Sequence, residues 1–108
     1  MKNKERKIKV GEEEYRIRLV RYLKKCRNKK QIVAGDFSCK RNEIKIKNNI
    51  SEKQKEETLY HEIAHAILYE LGKYNKPIQK LFYNENFIDR LGKILSQTFK
   101  IRYLNKND

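Results

Sequence analysis

The chain reads as an α+β domain, strands first and helices after, and three observations carry that expectation. Between residues 7 and 47, short runs alternate apolar and polar side chains, the period of a half-buried strand. From residue 51 the apolar spacing changes to three and four, the period of a helix packed on one side. The chain's 108 residues suffice for one modest core and not for two. A single domain over residues 1–108 is therefore expected, with a small, mostly antiparallel sheet from residues 6–50 packed against helices.

The elements follow in order. Ile8 and Val10, then Tyr15, Ile17 and Leu19, alternate with polar residues across a turn at Gly11, which predicts a β-hairpin. Residues 24–30 are almost wholly basic and read as a loop or a short helix end. Residues 31–38 and 43–47 predict a second hairpin turning near Lys40-Arg41-Asn42, with Ile44 and Ile46 on one face. Ser51 then opens a helix over residues 51–71, with Gln54 three residues on completing a capping box. Leu59, Ile63, Ala66, Ile67 and Leu71 would form its buried side, and Gly72 its stop. After Asn75-Lys76-Pro77 a further helix is expected from about residue 78 or 84 to about 104, with Gly92 its weakest position.

Composition narrows the class. Apolar residues make up 38% of the chain, below the usual 45–50%, yet they cluster in periodic segments, so disorder is expected only at residues 1–5 and 105–108. No run approaches 18 consecutive apolar residues and no apolar stretch follows the basic start, so neither a membrane span nor a secretory signal is expected. Cys26 and Cys39 form no C-x-x-C pair and no disulfide framework, which fits reduced thiols and a cytoplasmic protein. The net charge of +13 is lopsided: residues 1–50 carry 17 Lys and Arg against 6 Asp and Glu. A basic face of that kind either attracts nucleic acid weakly and without sequence preference, or simply keeps the surface solvated.

His61 and His65 are the only histidines, and Glu62 directly follows the first. Four residues of helix advance about 6 Å and about 400°, so both imidazoles leave one face and can converge on one metal ion. Glu62 lies about 100° round the helix, able to reach a metal-held water without ligating. This is the H-E-x-x-H arrangement of zinc peptidases, with the glutamate as general base. Catalytic zinc takes three protein ligands, so a carboxylate or a cysteine must complete the set. Glu85 and Asp89, one turn apart within Asn84-Glu85-Asn86-Phe87-Ile88-Asp89, are the candidates. An ordinary exposed helix start would carry the same acidic residues.

These two motifs, with nineteen residues between His65 and Glu85, resemble the gluzincin metallopeptidases, the thermolysin-like zinc enzymes. Their pattern is H-E-x-x-H on one helix and N-E-x-x-x-D on the next. The short strand-rich front half and the T-L-x-H-E-x-x-H-A-I-L helix look like the minimal gluzincins of phages and mobile elements, relatives of the ImmA/IrrE metallopeptidases. The likeness covers roughly residues 30–104, and no separate helix-turn-helix is apparent. It implies a zincin-like fold and one catalytic Zn2+ held by His61, His65 and Glu85. It also implies Glu62 as base, and Asp89 hydrogen-bonded to a ligand histidine, His61. A peptide or protein substrate would lie as an added strand along residues 33–38, with Ala34 and Gly35 offering backbone bonds. Thermolysin-like enzymes stabilise the oxyanion with a tyrosine and a histidine; no third histidine exists here, and the resemblance points to Tyr74 or Tyr83, each of which also reads as ordinary packing or surface. Two alternatives stand beside a working peptidase: a zinc-bearing binding module with little turnover, and a basic nucleic-acid-binding protein.

Overall fold

The computed structural model describes residues 6–23 and 34–99. Along them run β1 (Arg6–Val10), β2 (Glu13–Val20), β3 (Gly35–Ser38), β4 (Glu43–Lys47), α1 (Glu52–Gly72), α2 (Lys76–Leu81) and α3 (Glu85–Thr98). The protein is thus α+β, in the strand-then-helix order expected. Cys26, the basic run at 24–30, positions 31–33 and everything beyond 99 lie outside the described residues, as do the termini at 1–5 and 105–108.

Both hairpins form. Gly11 takes a left-handed φ of 63° at the first turn, a conformation open to glycine at no steric cost. Asn42, with φ of 50°, turns the second, and its side-chain amide donates to Glu13 Oε1 at 2.9 Å. The strand order is β1-β2-β4-β3, which makes the sheet mixed. Its two outer pairings are antiparallel, while β2 and β4 pair in parallel at the centre. That central register sets Ile17 opposite Ile44 and Leu19 opposite Ile46. The apolar rows of the two central strands thereby align, and Ile17, Ile44 and Ile46 are buried almost completely. By the strand's period of two, Arg16, Arg18, Glu43 and Lys45 fall on the other face. There Glu43 is buried among Arg18, Arg16 and Lys45, at 3.1, 3.5 and 3.8 Å.

α1 is the spine of the domain. Ser51 accepts from the Gln54 N–H while the Gln54 side chain accepts from Ser51, so the expected capping box is complete. The sequence reading gave this helix one buried side; it has two. Leu59 and Ile63 pack on Ile17, Ile44 and Ile46, and Ala66 packs on Val10 and Tyr15. On the opposite flank Ala64 and Leu68 meet Ile88, joined by Ile78, Leu81, Leu91 and Leu95 from the later helices. Leu71, expected inside, is exposed. Gly72 is the last helical residue rather than a left-handed stop. A Cβ there would come within 3.0 Å of Gln79, so α2 folds back closely at this point.

The late helix expected to start at about 78 or 84 starts at the second of these, and residues 76–81 before it form a separate short helix, α2. Asn84, in mid-run, turns its side chain to accept from the Phe87 N–H at 3.0 Å and caps α3, which interrupts what apolar spacing alone would continue. Asn75 caps α2 in the same way, with Pro77 in the first turn. Tyr60 closes the far end by donating to the Phe99 carbonyl at 2.6 Å. No helix among the described residues is long and apolar enough to cross a membrane.

One buried polar link ties α1 to the sheet: the Tyr15 hydroxyl donates to Glu70 Oε2. Burial, and then the Glu70 carboxylate, push the Tyr15 ionisation well above the ordinary phenol range. A group whose pKa is raised in the folded state contributes stability below its unfolded pKa and loses it above. Resistance to urea should therefore fall as pH rises past about 10, where the unfolded phenol ionises. Tyr15→Phe should cost about 1–3 kcal/mol at neutral pH and remove that phenol's share of the alkaline loss. An unchanged urea midpoint at pH 7 would dismiss the link.

Candidate metal centre

His61 and His65 leave α1 one turn apart, their ring centroids separated by 5.2 Å. Nearby loops do not bring the third group; the packing of α3 across α1 does. Gly92 lies on α3 where a Cβ would stand 3.1 Å from His61 Cα and 3.3 Å from His61 N. With no side chain there, the two backbones close up, and the first turn of α3 arrives beside the histidines. Glu85, the residue after the Asn84 cap, then sets Oε1 3.2 Å from His61 Nε2 and Oε2 3.5 Å from His65 Nε2. One ligand atom from each of the three residues lies within 4.8 Å of the others.

The donor set fits zinc. Tetrahedral bonds of about 2.0–2.1 Å put ligand atoms about 3.4 Å apart, and each Glu85 oxygen lies near that distance from a different histidine. Two imidazole nitrogens and one carboxylate also match the ligand chemistry of a catalytic site. The Glu85 side chain is 51% exposed, so the group opens to solvent on one side. Gly92→Leu supplies a good helix former and isolates the packing effect. It should lower stability by about 1–3 kcal/mol, because α3 must move off His61. Thermal melts would show this; a variant as stable as wild type would rule out the close approach.

Asp89 lies 3.8 Å from His61 Nδ1 and 3.5 Å from Lys93 Nζ. It stands on the side of His61 that the gluzincin resemblance assigns to it, yet beyond hydrogen-bond length. Glu62 is buried beneath β3. A Cβ on Gly35 would lie 2.5 Å from Thr58 Cγ2 and 3.1 Å from Glu62 Oε2, so glycine lets the strand's backbone reach the carboxylate.

β3 is an edge strand of the sheet, as the expected substrate edge requires. Ala34, however, precedes the strand, and its carbonyl accepts from the Lys47 N–H at 2.9 Å. Antiparallel pairs alternate between bonding inward and pointing outward. Ala34 is therefore committed to β4, and the outward backbone groups belong to Gly35 and Phe37. This corrects the pairing of Ala34 with Gly35 as substrate contacts, and register is the reason. Of the two candidate oxyanion tyrosines, Tyr74 is 97% exposed, with no protein wall to orient it. Tyr83 is 80% exposed and packs edge-on against Phe82, one ring removed from His65.

Aromatic residues around His65 had no place in the sequence reading of the site. Phe37 stacks on the His65 ring at 6.5 Å and 14°, and Phe82 meets it edge-on at 5.1 Å. Tyr69 touches both phenylalanines. Two signals were present: Phe37 shares a strand face with Gly35, and Tyr69 follows His65 by four residues. Beyond Phe82 opens a cavity of about 350 Å³, bounded by Leu68, Tyr69, Lys73 and the turn at Cys39.

No family model, curated protein or solved structure matches this chain. The likeness to gluzincins thus stands on the two motifs and on the meeting of their side chains.

Proposed function

We propose that this protein is a zinc-dependent metallopeptidase of the gluzincin type, acting on a peptide or protein in the cytoplasm. The supporting observation is the convergence of Glu85 on both histidine Nε2 atoms from a separate helix. In this reading His61, His65 and Glu85 hold the metal. Zinc bound there would supply a water of lowered pKa and a Lewis acid for the scissile carbonyl.

The chain's own residues do the rest. Glu62 accepts the proton of the attacking water and returns it to the leaving amine. Its burial under Gly35 holds the carboxylate in one place beside the strand. An extended peptide bonds to the outward backbone groups of Gly35 and Phe37, which brings its carbonyl over α1. Asp89 attracts the Nδ1 side of His61 and biases the ring toward offering Nε2 to the metal.

Purified protein should hold about one equivalent of zinc and cleave an unstructured peptide library. Chelation should abolish cleavage, and added zinc should restore it. Cleavage that persists without metal would overturn the reading.

A zinc-bearing binding module would use the same three ligands without turnover, and the solvent-facing side of Glu85 suits it equally well. Nucleic-acid contact draws on the sheet face away from α1, where Arg16, Arg18 and Lys45 lie. Glu43 partly neutralises that cluster, so the metal site is the better-supported function.

A further inference from the structure

We propose that the sheet face turned away from α1 binds the phosphate backbone of duplex nucleic acid, through a diagonal of cations that runs from β1 to β4. This second surface is independent of the metal chemistry.

Alternation defines the face. Ile8, Tyr15, Ile17, Ile44 and Ile46 pack in the core, so the strand residues between them point the other way. Among the described residues the helices all lie on the core side: α1 packs on the sheet, and α2 and α3 pack on α1. Of the strand residues that point outward, none is aromatic and Val20 alone is apolar.

Register then arranges the charges. Lys7 lies opposite Arg16, Arg18 opposite Lys45, and Val20 opposite Lys47. Lys7, Arg16, Arg18, Lys45 and Lys47 therefore follow one diagonal, with Glu14 and Asp36 at its margins. β1 and β4 stand two strand spacings apart, about 10 Å, between the about 6 Å width of a minor groove and the about 12 Å of a major groove. Long side chains from the two flanks reach phosphates on both walls of one groove. Glu43 is the acid inside the diagonal, and its side chain is 1% exposed where those of Arg16 and Arg18 are 43% and 42%. It holds the guanidinium groups from beneath, so an approaching phosphate meets the cations first.

The same face selects among polyanions. A duplex carries one negative charge per about 1.7 Å of its axis, which suits a dense row of cations. Single strands are held largely by stacking on aromatic rings, and this face has none to offer. A membrane surface calls for apolar side chains that insert, which are also lacking.

Fluorescence anisotropy with short labelled DNA duplexes of two unrelated sequences tests the proposal between about 50 and about 200 mM salt. Both duplexes should bind alike, with log affinity falling against log salt at a slope of about −3 or steeper. Lys7→Gln with Lys47→Gln should remove about two units of that slope. Lys53→Gln with Lys80→Gln makes the same change in net charge on the helices and should leave the slope unaltered. Arg16→Gln with Arg18→Gln should weaken binding at least about tenfold at low salt. Glu43→Gln accompanies that pair, so that no carboxylate stays buried without its partners. If this triple variant fails to fold, the two lysine pairs decide alone.

Equal losses from the two lysine pairs would overturn the face, as would no binding at about 50 mM salt. Tighter binding to the single strand, or to phosphatidylserine vesicles, would overturn the choice of partner. Zinc-loaded and chelated protein should bind the duplex equally, because His61, His65 and Glu85 lie on the helical side. Binding lost on chelation would place the contact at the metal and overturn the proposal.

Discussion

Glu62→Gln is expected to remove peptide turnover while zinc stays bound. Glutamine keeps the volume and shape of the side chain, so the close packing against Gly35 and Thr58 should survive. What it lacks is an oxygen able to take and return a proton. A positioned general base contributes about 10²–10⁴-fold, so kcat should fall by that factor with KM little changed. Zinc content and melting temperature serve as controls: Glu62 is not among the three converging residues, and losing a buried charge should not destabilise the fold. Turnover within a few-fold of wild type would remove Glu62 as base. If a cellular effect of the protein survived the same change with zinc in place, hydrolysis would not be its function.

The elements most readable from sequence are those whose causes are local. The capping box of Ser51 and Gln54, the turn at Gly11 and the i,i+4 histidines each involve residues within one turn of chain. Elements governed by distant partners were not readable. The parallel union of β2 and β4 joins strands more than twenty residues apart, and alternation in each strand is equally compatible with two separate hairpins. The break at 82–84 was left open, with a helix start at either 78 or 84, because it depends on whether Asn84 bonds the backbone ahead of it, a choice that apolar periodicity does not record. Gly92 shows the limit most plainly. In the sequence it weakens a helix; in the fold its missing Cβ is what lets that helix touch His61.

The site divides along the same line. His61, Glu62 and His65 follow from one helix and its period. Glu85 was reachable only as one of two acids, beside Asp89, or through the gluzincin spacing; its meeting with the histidines depends on α3 crossing α1. Ala34 was misassigned because the direction of a strand's backbone groups depends on register, which the sequence of one strand does not carry. The aromatic wall of Phe37, Tyr69 and Phe82 gathers residues from a strand and two helical regions. Each of them reads alone as ordinary core.

Glu85→Ala should therefore be the decisive substitution for the metal. Two imidazoles on one helix turn can still hold zinc weakly, so the expected outcome is a loss of affinity rather than of all binding. Outer partners of metal ligands typically contribute about 10–100-fold, and removing a ligand itself should exceed that range. Asp89→Ala supplies the scale: at 3.8 Å from His61 Nδ1 it should cost no more than an outer partner does. Half-exposed Glu85 supports no core contact, so the melting temperature of the metal-free protein should hardly move. Zinc-loaded wild type should melt higher than the variant, because a ligand bound only by the folded state stabilises it by an amount that grows with the logarithm of its affinity. If Asp89→Ala proved the more damaging of the two, the metal would be held from the second turn of α3, and the roles of the two acids would exchange. If neither change altered zinc affinity, the histidine pair would be an ordinary feature of the α1 surface and the proposed chemistry would have no centre.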